Sequence, residues 1–270
     1  MSVKLFTGNQ YHEIKWWFFP DGARGVKIVQ PEIAKKFRSF MVELRYESDQ
    51  DFMDMLLLVD ACREITPFVS FWLNVPYFPY SRQDRVMVDG ESHSLRVAVN
   101  LIKMCNFDSI EVLDAHSDVL AGMFPAGVLK IRSQDECQYS LISNIISKWS
   151  NYRSVCLVAP DAGSLKKIYK SAKRHNLPVV EATKIRDVAT GNIIRTDVED
   201  RIELYQHAII CDDICGFGGT FVALSEAISK KNSAMTKSLI TTHGIYGGDS
   251  KENLKLYFDD VLCVNDMEKK

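Results

Sequence analysis

The residues of this chain best placed to do chemistry lie together in Ile209-Ile210-Cys211-Asp212-Asp213-Ile214-Cys215-Gly216-Phe217-Gly218-Gly219-Thr220. The apolar run 207–211 predicts a short buried parallel strand that ends at two adjacent carboxylates. A helical pattern follows from Thr220 to about Lys230. A glycine-rich turn from a strand into a helix N-terminus gathers backbone N–H groups that can hold a phosphate. Two carboxylates at its mouth can accept hydrogen bonds from vicinal ribose hydroxyls or help hold a metal. The plainer reading is an ordinary strand-to-helix turn with acidic ends. The Asp-Asp pair ahead of the glycines favours binding.

The elements that must position this loop follow from periodicity. Residues 15–19 and 26–29, separated by Pro20-Asp21-Gly22, predict a hairpin. Residues 49–65 place Phe52, Met55, Leu56, Val59 and Cys62 at helical spacing behind an Asp cap candidate. A strand over 68–77 runs into the polar loop Pro79-Tyr80-Ser81-Arg82-Gln83-Asp84-Arg85. A helix over 92–105 precedes a strand over 109–113 that leads to Asp114-Ala115-His116-Ser117-Asp118. Strand and helix alternating in this way build a parallel sheet covered on both faces, with ligands at the carboxyl ends of its strands.

The pattern then repeats without clear sequence repetition. Helices are expected over 139–149 and 165–175, and strands over 154–159 and 178–182. The polar stretch 183–203, with its Thr-Gly-Asn turn, reads as a mobile loop or hairpin. A strand over 237–242, a short helix over 249–257 and a last strand over 260–264 follow. Two domains, 1–133 and 134–270, suit a chain of this length.

Composition narrows the function. Apolar residues make up 46% of the chain, enough for real cores, and a net charge of −2 argues against a general nucleic-acid binder. No window approaches the ~18 apolar residues of a membrane span, and no signal-peptide core is evident. Seven cysteines, an odd number with no C-x-x-C pair, read as reduced thiols in a cytoplasmic protein; Cys62, Cys105, Cys156 and Cys211 sit in apolar stretches. His12, His93, His175 and His207 are expected to be structural, and Trp16, Trp17 and Trp72 to serve core or interface.

Taken together, the loops resemble those of the ribose-phosphate diphosphokinases, the phosphoribosyl-diphosphate (PRPP) synthetases. The matching segments are Phe19-Pro20-Asp21-Gly22, Val75 through Arg85, Leu113-Asp114-Ala115-His116-Ser117, Val158-Ala159-Pro160-Asp161-Ala162-Gly163, Lys184-Ile185-Arg186, Asp212 through Thr220, and Thr242-His243-Gly244. They stand in the family's order over roughly residues 15–266. The Pro-Tyr-Phe-x-Tyr-x-Arg-Gln-Asp run is the most diagnostic, because plain phosphoribosyltransferases lack it.

The resemblance implies an α/β fold of two tandem type I phosphoribosyltransferase-like domains, each a mainly parallel sheet flanked by helices, the first on the ATP side and the second on the ribose-phosphate side. It implies Mg²⁺-dependent transfer of the β,γ-diphosphoryl group of ATP to the anomeric hydroxyl of ribose 5-phosphate, giving PRPP and AMP. Arg82 and Gln83 would hold ATP, and Phe19 and Asp21 would contact adenine across a subunit interface. His116 and Asp161 would hold the magnesium. Lys184 and Arg186 would close over the moving diphosphoryl group, with His116 beside them in the catalytic set. Asp212 and Asp213 would bind the ribose hydroxyls, and Phe217, Gly218, Gly219 and Thr220 line the 5-phosphate loop. A homo-oligomer, dimer or larger, is expected, with small-molecule substrates and neither nucleic acid nor membrane as partner.

Three features depart from the family pattern. Ala23 stands where Asp-Gly-Glu would place a glutamate. The sequence ends at Lys270, where the resemblance implies a further strand and helix. In the central loop Gly216-Phe217 replaces Asp-Thr, removing a hydroxyl donor to the 5-phosphate that is worth roughly 1.5–3 kcal/mol. Phe217 either packs on the neighbouring helix or offers a ring where the acceptor's 5-substituent emerges. ADP-ribose, with a free anomeric hydroxyl and an adenosine tail, fits the second case as an alternative acceptor, its product serving NAD resynthesis. A catalytically silent regulatory partner of a synthetase is the non-enzyme alternative. Such relatives are expected to lose Lys184, Arg186, His116 or the paired acids, all of which are present.

Overall fold

The opening runs form β1 (Val3–Thr7), β2 (Gln10–His12), β3 (Ile14–Phe18) and β4 (Arg24–Ile28). The structure, a computed structural model, describes residues 2–67, 69–149, 154–186 and 193–268, the side chains of 185–186 and 193–195 excepted. β3 and β4 make a separate antiparallel hairpin with Ile14 opposite Ile28, as Pro20-Asp21-Gly22 leads one to expect. Gly22 supplies the positive φ of its turn, +85°.

α1 (Pro31–Ala34), β5 (Ser39–Leu44), α2 (Gln50–Ile65), β6 (Ser70–Asn74), α3 (Ser94–Met104), β7 (Ser109–Leu113), α4 (Val119–Gly122) and β8 (Leu129–Arg132) complete a first compact unit, Met1–Arg132. Its sheet runs β2-β1-β5-β6-β7-β8, antiparallel as far as β5 and parallel beyond. α2 buries Phe52, Met55, Val59 and Cys62, a stripe with helical period. The cap differs from expectation. Asp49 occupies the cap position without a side-chain capping bond and instead accepts the Tyr46 and Tyr80 hydroxyls. Asp51 ties down this end, accepting from the N–H groups of Glu47 and Ser48 at 2.7 and 2.8 Å.

The second unit, Ser133–Lys270, opens with a capping box in which the Glu136 carboxylate accepts the Ser133 N–H at 2.9 Å. It contains α5 (Gln134–Cys137), α6 (Tyr139–Ile146), β9 (Val155–Ala159), α7 (Leu165–His175), β10 (Val179–Arg186), β11 (Ile193–Val198), β12 (His207–Cys215), α8 (Gly219–Lys231), β13 (Thr236–Gly244), α9 (Ser250–Leu254) and β14 (Asp260–Asp266). The sheet order is β11-β10-β9-β12-β13-β14, parallel throughout except for β11 against β10. β9 is buried at every residue because helices cover both faces: Leu157 joins a core with Ile168 and Ala172 of α7, while Val158 joins one with Phe221 and Leu224 of α8.

Two strands exceed the lengths expected from the sequence. β10 runs on through Lys184 to Arg186 as half of a hairpin with β11, and β12 continues past Cys211 through both aspartates to Cys215. The Thr190-Gly191-Asn192 turn lies outside the described residues. The seven cysteines are free thiols, six of them buried. Among the described residues no helix is long and apolar enough to cross a membrane.

Candidate active site

In the second unit, parallel strands bring four of the singled-out side chains to one end of the sheet. Asp161 follows β9, and Ser164 fixes the turn after it: the Ser164 N–H donates to the Asp161 carboxylate at 3.1 Å, and the Ser164 hydroxyl to the Asp161 carbonyl at 2.7 Å. Lys184 of β10 donates to the other carboxylate oxygen of Asp161 in a partly buried ion pair. Asp213 of β12 is buried and stands 3.5 Å from the ammonium of Lys167 on α7. Asp212 is held through its backbone, its carbonyl accepting the Gln138 side-chain amide at 2.7 Å while the same amide donates to the Thr242 hydroxyl at 3.0 Å. Burial raises the Asp212 carboxyl well above the usual carboxylate range, and the charges of Asp213 and Asp161 push it further.

The glycine loop closes this end. Gly218 caps α8 at φ +78°, a conformation that L side chains rarely adopt, and its carbonyl accepts the Phe221 and Val222 N–H groups at 2.9 and 3.0 Å. The N–H groups of Gly219 and Thr220, in the first turn of α8, have no carbonyl one turn back to serve, and they combine with the helix dipole as an anion cradle. Phe217 is 81% exposed. Its ring lies against Gly247, where a Cβ would fall 2.5 Å from the ring edge. The helix-packing role weighed for Phe217 is therefore not the one that it adopts. His243, beyond β13's buried centre, is itself buried and meets Asn265 at 3.2 Å.

In the first unit, Arg82 and Gln83 are exposed on the loop after β6, and the Gln83 side chain accepts the Ser94 hydroxyl at 2.5 Å. Asp84, next along, is buried and paired with Arg85 at 2.9 Å. Arg85 holds the Asp84 carboxyl at about 2, helped by a hydrogen bond from Ser117 and the nearby His116. Asp84 thus joins the Arg82–Gln83 loop to the loop that presents exposed His116 after β7. Phe19 and Asp21 stand apart on the β3–β4 hairpin turn, where the Asp21 carboxylate accepts the Ala23 N–H at 2.9 Å and Phe19 is half exposed. Arg186 lies on β10, opposite Ile193; its side chain is outside the described residues.

The chain is similar to known proteins in both sequence and fold. A family profile described as the N-terminal domain of ribose phosphate pyrophosphokinase matches residues 3–105. The chain is 28% identical over 248 residues to a ribose-phosphate pyrophosphokinase of Pyrococcus furiosus, covering 92% of this chain and 83% of that one. It is 27% identical over 252 residues to the one from Campylobacter jejuni, covering 92% and 77%. Over more than nine-tenths of its length the chain is thus similar to ribose-phosphate pyrophosphokinases, the family profile matching within the first unit. That kinship places it among diphosphotransferase enzymes. The fold matches the crystal structure of a phosphoribosylpyrophosphate synthetase from Mycobacterium smegmatis with a TM-score of 0.76 at 20% identity, over 93% of this chain and 80% of that one. The two-domain α/β architecture implied by the sequence is thereby established.

Mg²⁺, the ion associated with this family, can be tested against the donors present. Among the described residues no three His, Cys, Asp or Glu side chains converge as a complete metal cage. Mg²⁺ does not require one, since it keeps waters and uses one or two carboxylates with substrate phosphates. Asp161, Asp212 and Asp213 bring hard oxygen donors to one end of the sheet, with the cations of Lys184 and Lys167 beside Asp161 and Asp213. The donor set fits.

Sequence reading missed Lys167, Gln138, Ser164 and Asp84. Lys167 lay within what read as a basic helix face, and Asp84 inside a motif whose neighbours drew attention. Gln138 carried no recognisable spacing signal.

Proposed function

We propose that this protein transfers the β,γ-diphosphoryl group of ATP to the anomeric hydroxyl of ribose 5-phosphate in the presence of Mg²⁺, releasing AMP. The observation that carries the proposal is the gathering of Lys184, Asp161, Asp212 and Asp213 beside the glycine cradle at one end of the second unit's sheet. In the balanced step, the anomeric oxygen attacks the β-phosphorus, the Pα–O–Pβ bond breaks, AMP leaves with the bridging electron pair, and the hydroxyl proton passes to solvent. The first unit serves ATP through Arg82 and Gln83, with Phe19 and Asp21 on adenine. The second serves the acceptor: Gly218, Gly219 and Thr220 donate to the 5-phosphate, and Asp212 and Asp213 accept from the ribose hydroxyls.

Without substrate, Lys184 and Asp161 neutralise one another. Phosphate oxygens would take over the ammonium, leaving the Asp161 carboxylate for the metal. Lys184 and Arg186 then stabilise charge developing on the diphosphoryl group. Mg²⁺, with Asp161 as a proposed protein ligand, would neutralise phosphate charge. The protein acts as a homo-oligomer in the cytoplasm. The test is ³¹P NMR of protein incubated with ATP, Mg²⁺ and ribose 5-phosphate. AMP and a new diphosphate pair of resonances are expected, whereas ADP with orthophosphate would contradict the assignment.

A second acceptor is favoured by one observation. Phe217 is 81% exposed on the rim of the phosphate cradle and cannot donate to a phosphate. Its face suits a base stacked at the end of a longer 5-substituent. ADP-ribose offers the same anomeric hydroxyl and an adenine, and its diphosphorylated product is one that nicotinamide could attack to remake NAD. Robust turnover of ribose 5-phosphate with none of ADP-ribose would rule this reading out.

A further inference from the structure

Lys167 stands where helix electrostatics alone would not place a cation. It lies in the first turn of α7, beside Lys166, and that turn contains no acidic residue. The positive end of a helix dipole disfavours lysine there, so a partner off the helix must account for its position. The partner is Asp213: the Lys167 ammonium is 3.5 Å from its carboxylate, and both side chains are largely buried, 26% and 11% exposed. Cys211, two residues earlier on β12, packs with Ile168 and Ala172 of the same helix. The apolar contact between α7 and β12 thus leads directly up to the Lys167–Asp213 pair.

Asp213 needs such a cation. Asp212 adjoins it, Asp161 lies close to Asp212, and Lys184 is engaged with Asp161. Like charges this close repel, and an ammonium beside Asp213 offsets that repulsion and fixes the direction of its carboxylate. The segment after β9 therefore delivers two groups to the strand ends: Asp161 toward β10, and Lys167, six residues on, toward β12.

We propose that Lys167 is a positioning residue for acceptor recognition, holding Asp213 as an oriented carboxylate that receives the ribose hydroxyls. This rests on the acceptor-binding role proposed above for the second unit. It assigns to Lys167 no contact with the transferred group, so its effect belongs in the acceptor KM.

The experiment is a double-mutant cycle on the full chain, with acceptor-dependent AMP formation measured first in the unaltered protein. Lys167→Gln is expected to raise the KM for ribose 5-phosphate about tenfold, the range for loss of one charge-assisted contact, with the KM for ATP changed less than about twofold. Lys167→Arg is expected to restore most of the loss. In an Asp213→Asn background Lys167→Gln should add little, because its target charge is already gone. Lys167→Met, which keeps the apolar stem, serves as the second variant if Lys167→Gln folds poorly. An unchanged acceptor KM, parallel rises in both KM values, or full additivity in the cycle would overturn the proposal. Absence of acceptor-dependent AMP in the unaltered protein would remove the functional reading itself, and this role of Lys167 with it. That outcome is distinct from an active protein whose Lys167 variants behave normally.

Discussion

Lys184 of β10 and Asp161 at the end of β9 close an ion pair across two adjacent parallel strands, each side chain mostly shielded from water. The pair holds the proposed catalytic cation against the proposed metal ligand, so that each offsets the other's charge until phosphate arrives. Asp161 is further fixed by Ser164.

Lys184→Ala should therefore lower turnover by about two to three orders of magnitude, the range for losing one preorganised donor to transition-state charge. ATP affinity should change little, since the proposed adenine contacts are made by other residues. Steady-state kinetics with a parallel ATP-binding titration checks this, and unchanged turnover would remove Lys184 from the clamp.

Gly218→Ala should destabilise the protein by roughly 1–2 kcal/mol, the penalty of a left-handed L residue. At φ +78° the new Cβ would also press on the Leu254 side chain, 3.2 Å away. The shift of the α8 N-terminus should weaken acceptor binding as well. At Gly219 a Cβ meets nothing within 4 Å, so Gly219→Ala should stay within about 0.5 kcal/mol of the parent in a denaturant titration.

Gly216→Asp with Phe217→Thr should move acceptor preference toward ribose 5-phosphate and away from ADP-ribose. The exposed ring makes few core contacts, so folding should tolerate the exchange. The ratio of kcat/KM for the two acceptors is the readout, and an unmoved ratio would return Phe217 to a packing role against Gly247.

Acidity should act on the fold through His207. Burial lowers its imidazole below the ordinary 6.5, and the neutral ring meets the Thr236 and Ser238 hydroxyls at 2.7 and 3.1 Å. Below pH 6.5 the unfolded chain binds a proton that the folded ring resists, so this contribution is full above 6.5 and is lost as pH falls. His207→Gln should be less stable than the parent at pH near 7.5, and the gap should narrow near pH 5.5. Urea midpoints at both values test this, and a constant gap would contradict it.

Much of the architecture was legible because covered parallel strands write themselves as apolar runs ending in polar loops. β7 and α7 fall where periodicity placed them, and Phe52, Met55, Val59 and Cys62 share the buried face of α2. The histidines read as structural are structural: His12 bonds Thr7, His93 caps α3, His175 stacks on Tyr139, and His207 is fixed by Thr236. What escaped reading depends on three-dimensional neighbours. Asp212 and Asp213 looked like the end of a strand because charge usually marks a loop, yet pairing with β13 carries β12 through them. Asp49 looked like a cap, but the Tyr46 and Tyr80 hydroxyls draw it away. Lys167 could not be told from a solvated lysine until β12 brought Asp213 to it.

The central claim is diphosphoryl transfer to a ribose anomeric hydroxyl, and AMP release tests it most directly. Purified protein with ATP and Mg²⁺ is assayed with ribose 5-phosphate, with ADP-ribose, and with neither. The account predicts AMP that depends on a ribose acceptor, ribose 5-phosphate first, and is absent without one. AMP formed with neither sugar, or none under any condition, would contradict it.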